Sequence, residues 1–223
     1  MYKRQIKSQK GYGEAVAVHP YNPSGYNRNR VYPLLHFDSF LSIDDFKNPL
    51  LIRDYISDKS DYEKIIDLYK NKKKDSSLCV FNVTMQNHNP YNFDYVGEVK
   101  VTDFSVSSQV EQYLSLMRKS DDALKELITY FKKSDEPAII LVFGDHQPHL
   151  PDSFYEKLFG KNPVQFSRED SMKEHLIPFM IWANYDIGEE NIERTSINYL
   201  SSLLLEKAGL KMSDYNRLSL IHI

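Results

Sequence analysis

Three short stretches of this 223-residue chain carry residues whose types and spacing suit phosphoryl or metal chemistry. The first is HPYNPSGYNRNR, which runs from His19 through Tyr26 and Arg28. The second is QNHNPY, with His88 between two asparagines. The third is GDHQPH, where Asp145 and His146 stand side by side after Gly144. A carboxylate oxygen beside an imidazole nitrogen suits Mn²⁺ or Zn²⁺. Gly144 permits a turn that a β-carbon would obstruct, so both side chains can reach one ion. Two ligands do not close a shell, because a divalent ion takes roughly four to six. The tripeptide alone fits a turn held by Asp145 as well as it fits half a metal site.

The other candidates carry the same two readings. Arg28 has the fork geometry that grips a phosphate or sulfate, and an arginine in an Asn-rich loop also simply faces solvent. His88 suits a hydrogen bond to an anionic group or a proton transfer; a solvated loop histidine looks the same. Tyr26 can pack on a ligand or cover core. His19, against a proline turn, reads as structural. His36, His149, His175 and His222 give no separate signal, and Asp121-Asp122 reads as a solvated helix face.

The elements that must position these loops are legible as alternating strands and helices. EAVAV ends at His19, LCVFNVTM (78–85) ends at Gln86, and AIILVF (138–143) ends at Gly144. The last two are near-continuous apolar runs, as expected of strands buried on both faces, and LIPFMIWAN (176–184) reads as another. Ser60-Asp61-Tyr62-Glu63 reads as a capping box ahead of a helical face of Tyr62, Ile65, Ile66 and Tyr69. Lys72-Lys73-Lys74 places cations at that helix's negative end. A long helix fits 108–133 and a last one 196–207, with Gly209 just beyond it. Strands alternating with helices predict an α/β fold with a mostly parallel central sheet flanked by helices. Ligands of such sheets sit outside the strands' carboxyl ends, and the three polar stretches all follow such ends.

Composition excludes some classes. Lys and Arg number 28 against 31 Asp and Glu, a balance unlike the basic excess of nucleic-acid binders. The 16 tyrosines fit loops that line polar, sugar-like sites, and equally fit half-buried sheet positions. Cys79 is the single cysteine and makes no internal disulfide. No signal peptide is visible at residues 1–10, and no run reaches the roughly 18 apolar residues of a membrane span, so the chain as given reads as soluble.

In this order and spacing, HPYNPSGYNRNRVYPLLHFDSF, TMQNHNPY and FGDHQPHL resemble the sulfatase-like domain of lipoteichoic acid synthases and related phosphoglycerol transferases, within the alkaline phosphatase superfamily. The resemblance runs roughly from Gly11 to Asn216. It implies one sulfatase-like domain over residues 1–223, of which this chain is the carboxyl-terminal portion, and an alkaline-phosphatase-like fold. It implies a divalent cation, Mn²⁺ ahead of Mg²⁺ and Zn²⁺, with Asp145 and His146 as two of its ligands. It makes His88, Arg28 and Tyr26 substrate-binding residues, although Tyr26 stands where the family often has Trp.

The resemblance further implies that a threonine attacks the phosphodiester of phosphatidylglycerol and passes glycerol phosphate to a cell-envelope polymer or glycan. That threonine and a glutamate ligand are expected upstream of this chain, as are membrane helices, so the chain alone is expected to be inactive and to bind metal weakly. The full-length protein is expected at the extracellular face of a bacterial membrane. The rival readings are a sulfatase, a phosphoethanolamine transferase, and a cell-surface binding module that has lost the chemistry. Cys79 is followed by Val-Phe-Asn and does not fit the Cys-x-Pro-x-Arg context of a sulfatase nucleophile.

Overall fold

The computed structural model describes residues 13–92 and 95–221. Strand β1 (Glu14–Val18) lies between β2 (Ser39–Leu41) and β5 (Leu78–Asn82), and all three run parallel. Ala15 to Val18 are buried completely, as the middle strand of a covered parallel sheet should be. Between β2 and β5 come a small hairpin, β3 (Leu51–Ile52) and β4 (Tyr55–Ile56), and helix α2 (Asp58–Asn71). Helix α1 (Arg28–Leu34) precedes β2 and sets Tyr32 against Phe37, Phe40 and Phe81.

Beyond β5, helix α3 (Ser108–Phe131) leads to β6 (Ile139–Phe143), which pairs with β7 (Phe179–Ala183). This pair is antiparallel, so the mostly parallel expectation holds for β1, β2 and β5 and fails for the β6–β7 ribbon. The remaining helices are α4 (Asp152–Phe159), α5 (Arg168–Lys173), α6 (Ile197–Lys207) and α7 (Asp214–Leu220). The long helix and the last predicted one stand where expected, α6 with Ser196 as its cap and Gly209 in the left-handed region beyond it.

Helices α2 and α3 pack in parallel. Asp58 meets Ser120, Lys59 meets Glu126, and Tyr69 meets Phe131 and Ser134, so positions rise together along both helices. The predicted start of α2 was three residues late. Ser57 is the cap and accepts from the Ser60 amide, whereas the Ser60 hydroxyl leaves the helix to accept from the Leu50 amide. Capping sequences are degenerate, and here two serines compete for one role. A second difference is burial. None of the five residues of β5, β6 or β7 is fully buried, although their apolar sequences predicted cover on both faces.

Candidate functional site

The HPYNPSGYNRNR loop folds into a 3-10 turn at Gly25–Asn27, in which Tyr26 and Asn27 take positive φ values of 54° and 56°. That left-handed step costs a β-carbon residue steric energy. It leaves the Tyr26 side chain exposed and turns its ring beneath the Arg28 guanidinium, 4.6 Å from ring centre to Cζ. The Tyr26 hydroxyl lies 2.9 Å from Nε2 of His88. Nδ1 of His88 lies 2.6 Å from the Asn89 carbonyl and must donate to it, so Nε2 accepts from Tyr26.

His19 joins this group from beneath. It is buried, its Nδ1 donates to the Val83 carbonyl at 2.7 Å, and its Nε2 accepts from the Arg28 guanidinium. Burial lowers the His19 pKa to about 4, with the Arg28 charge pushing the same way. The ring is therefore neutral at pH 7, the form that can accept from a cation. Arg28 also lies near the Tyr32 hydroxyl, and its charge partly offsets the rise that burial gives the Tyr32 pKa. These contacts use part of its donor fork and hold the guanidinium at the strand ends.

Sequence reasoning left His19 as structural and passed over Arg53, and both position the site. Arg53 and Asp54 form the two-residue turn between β3 and β4, with φ of 52° and 66°. Paired positive φ values are what a tight hairpin demands, but Asn or Gly usually supplies them. The Arg53 side chain is buried and donates to the carbonyls of Pro90 at 2.8 Å, Gln86 at 2.7 Å and His88 at 3.0 Å. It lies between the rings of Tyr55 and Tyr91. Gln86 anchors the start of the same loop: its Oε1 accepts from the Asp58 amide and its Nε2 donates to Ser120 and to the Leu116 carbonyl. The only sequence signal for Arg53 was a charged pair inside the apolar run LIRDYI.

Asp145 and His146 form a separate pair after β6. Asp145 Oδ1 accepts from the His146 amide, and the His146 Nδ1 donates to the Gln147 carbonyl. That leaves Nε2 with its lone pair free, 3.5 Å from Asp145 Oδ2. Two ligands held ~2.1 Å from one tetrahedral ion stand ~3.4 Å apart, so the two atoms fit one coordination shell. Both side chains are largely exposed. Among the described residues, no group of three or more His, Cys, Asp and Glu could hold a metal ion. The pair fits half a shell and no more.

The two halves share a rim and a core. Because α2 and α3 run parallel, β5 and β6 leave them in the same direction, and the His88 and Asp145 loops both follow strand carboxyl ends. Tyr91, just after the His88 loop, and Leu150, just after the Asp145 loop, are buried in one cluster with Val110 and Leu116 of α3. Tyr155 donates to the Pro148 carbonyl at 2.6 Å from the α4 side. No direct bond described above links Arg28 or His88 to Asp145 or His146. Two shallow depressions, one by Tyr69 and Tyr130 and one by Lys72 to Lys74, lie at the opposite, amino-terminal ends of the strands.

A model of the sulfatase family matches residues 5–210. The chain belongs to the sulfatase family. Among curated relatives, a putative cyclic β-1,2-glucan modification protein of Rhizobium meliloti (strain 1021) is 29% identical over 211 residues, covering 89% of this chain and 32% of that protein. Lipoteichoic acid synthase 1 of Bacillus subtilis (strain 168) is 24% identical over 182 residues, covering 79% and 28%. Among solved structures, the Streptococcus pyogenes phosphoglycerol transferase GacH in complex with sn-glycerol-1-phosphate is similar, with a TM-score of 0.75, 26% identity and coverage of 95% and 53%. This sulfatase-family chain is thus homologous to lipoteichoic acid synthases and has the α/β fold of the alkaline phosphatase superfamily. The family is one of enzymes that include phosphoglycerol transferases. The chain spans about a third of the length of the first curated relatives it matches. No described helix is long and apolar enough to cross a membrane.

Proposed function

We propose that residues 1–223 are the carboxyl-terminal portion of a single sulfatase-like domain that transfers glycerol phosphate. The observation that carries this reading is the Tyr26–His88–Arg28–His19 network at the strand ends, in a chain similar to a transferase whose structure holds sn-glycerol-1-phosphate. Arg28 takes the phosphate through its free N–H groups. Tyr26 and His88 meet a glycerol hydroxyl, with the Tyr26 ring beneath the Arg28 guanidinium and the Tyr55 ring packed edge-on against His88. His19 holds Arg28 in place without competing for the anion, because its neutral ring carries no charge.

Asp145 and His146 would supply one oxygen and one nitrogen to a divalent cation, Mn²⁺ by preference, with the other ligands from outside the described residues. Such an ion, when bound, polarises a phosphoryl oxygen and favours the ionised form of a hydroxyl nucleophile. That nucleophile is a threonine outside this chain, the donor is phosphatidylglycerol at a membrane surface, and the acceptor is a cell-envelope polymer or glycan. This chain alone is then a binding half-site, without turnover.

The test is a titration of the chain with sn-glycerol-1-phosphate, followed by NMR of the histidine side chains and of the Arg28 Nε–H. Perturbation of His19, His88 and Arg28, lost in Arg28→Ala, is the expected result. Saturable binding that leaves these signals unmoved, or no binding at millimolar ligand, would sink the reading.

A further inference from the structure

Among the described residues, strands β5 and β6 each have one edge without a pairing strand. Among the described strands, β5 pairs only with β1, and β6 only with β7. The register shows which groups are left over. The Val83 amide donates to the Val18 carbonyl, so in this parallel ladder the odd residues of β5 face β1. Leu78, Val80 and Asn82 therefore turn their N–H and C=O groups the other way. On β6, the Gly144 amide donates to Pro178 and the Asn184 amide to Ala138. The alternation places Ile140 and Val142 in bonded pairs with β7, and Ile139, Leu141 and Phe143 face outward. Backbone groups at a covered sheet position are almost always paired.

The two open edges face one gap. Helices α2 and α3, which deliver β5 and β6, pack side by side in parallel and are tied at their ends by Tyr69–Ser134 at 2.7 Å and Lys72–Glu136 at 2.9 Å. Packed helix axes stand ~8–10 Å apart, and neighbouring strands ~4.8 Å apart. Strands under such a helix pair are then two strand spacings apart. In keeping with this, β5 and β6 do not approach one another as paired neighbours do. Both are apolar, yet neither has a fully buried residue, and Phe81 and Phe143 remain about two-fifths exposed.

Side chains at the carboxyl end of β5 show the same incompleteness. Asn82 donates to Asp61 Oδ2 at 2.7 Å, but Asn82 Oδ1 and Asp61 Oδ1 are buried with no hydrogen-bond partner, as is Asp58 Oδ1. Buried polar atoms without partners are costly, so a polar partner is missing there.

We infer that the gap between β5 and β6 is a slot for one extended, apolar strand of about five residues, supplied by polypeptide outside the described residues. The slot gives the order β2-β1-β5-strand-β6-β7, with the antiparallel β7 at the edge. A second copy of the chain could add to one edge but could not thread between two. The S. pyogenes transferase contains nearly as much chain again beyond the matched part, which is ample to provide the strand. Whichever way the strand runs, one of its ends lies between the His88 loop and Asp145-His146. The inference stands on backbone geometry and holds whether or not glycerol phosphate is the substrate.

Residue-resolved amide hydrogen exchange on the wild-type chain tests it first. Val80, Asn82, Leu141 and Phe143 are expected to exchange at least 100-fold faster than Phe81 and Val142. Equal protection in both sets would overturn the proposal, as would protection that appears only with a concentration-dependent dimer. Overlapping 12-residue peptides from the unmatched part of the S. pyogenes transferase then serve as the probe. One of them is expected to slow exchange at both edges together, and slowing at one edge only, or at neither, overturns it.

Spacing is checked in a Cys79→Ala background with Phe81→Cys combined with Val142→Cys or Phe143→Cys. Two strand spacings make ~10 Å, so a dimaleimide of that span joins one of the pairs within a monomer. A direct disulfide, which needs Cα atoms about 4.4–6.8 Å apart, or the failure of both pairs to join, overturns the slot.

Discussion

His19 and Arg28 are joined by a hydrogen bond in which the histidine is the acceptor. The arrangement works in one protonation state only. The Nδ1 proton is committed to the Val83 carbonyl, which leaves Nε2 as a lone pair aimed at a guanidinium. Burial lowers the His19 pKa to about 4, so the pair holds at neutral pH and the positive charge stays on Arg28. The linkage sign follows. A lowered histidine pKa contributes stability that is present above the ordinary value of 6.5 and is lost as pH falls toward 4.

Replacing His19 therefore acts on ligand affinity through Arg28. His19→Ala leaves one half-buried cationic donor without its acceptor, a loss of at most about 1–3 kcal/mol. Affinity for sn-glycerol-1-phosphate is expected to fall roughly 10-fold or more. His19→Gln, which keeps an acceptor, should recover part of it. Isothermal titration at pH 7.5 measures both, and an unchanged affinity in His19→Ala would remove His19 from the site.

Arg53 bears on the other wall. Arg53→Met deprives the carbonyls of Gln86, His88 and Pro90 of their donor and is expected to destabilise the chain by about 3–5 kcal/mol. Urea denaturation measures this, and the His88 ring signals should broaden in the variant even where it is fully folded.

How much of this was legible in the sequence differs from residue to residue. The strands β1, β5 and β6, the long helix and the three polar loops were legible, because apolar runs that stop at His19, Gln86 and Gly144 leave few alternatives. The Asp145–His146 pair was legible for the same reason. The role of Arg53 was hidden because its partners are backbone carbonyls 33 to 37 residues away, and no side-chain pattern encodes them. The exposure of β5 and β6 was hidden too. Their composition records the cover an apolar strand requires, while the described residues pair each of them on one edge only.

The buried carboxyls make stability depend on pH. Burial raises Asp61 to about 8 and Asp58 to about 6 from 3.8. A raised carboxyl pKa contributes stability that is full below the unfolded value and is lost as pH rises through the folded one. Between pH 7 and 8, where the unfolded His19 is mostly deprotonated and adds little slope, unfolding free energy should fall by about 1 kcal/mol per pH unit. Asp61→Asn keeps an acceptor for Asn82 and should flatten that slope. Denaturant melts at half-unit pH steps check both, and an unchanged slope in Asp61→Asn would assign it elsewhere.

Metal binding to half a shell should be weak and local. Mn²⁺ added to the chain is expected to broaden amide signals around Asp145 and His146 first, with a dissociation constant in the millimolar range, since two ligands leave most of the shell to water. His146→Ala should abolish the selective broadening. Uniform broadening at all surface acids, unaffected by His146→Ala, would show that the pair is no ligand.

Leu150 offers a test of whether the two halves of the site are one mechanical unit. It is buried with Tyr91, Val110 and Leu116, so it stands between the loop that holds His88 and the loop that holds Asp145 and His146. Leu150→Ala opens a cavity in that cluster and should cost about 2–4 kcal/mol. If the cluster sets the spacing of both loops, signals of His88 and His146 must shift together, although neither residue is changed. Leu150→Met, which conserves volume, should cost less than about 1.5 kcal/mol and leave both in place. A shift of His146 alone would mean that the loops are held independently, and that something other than this cluster determines how far apart Arg28 and the Asp145–His146 pair stand.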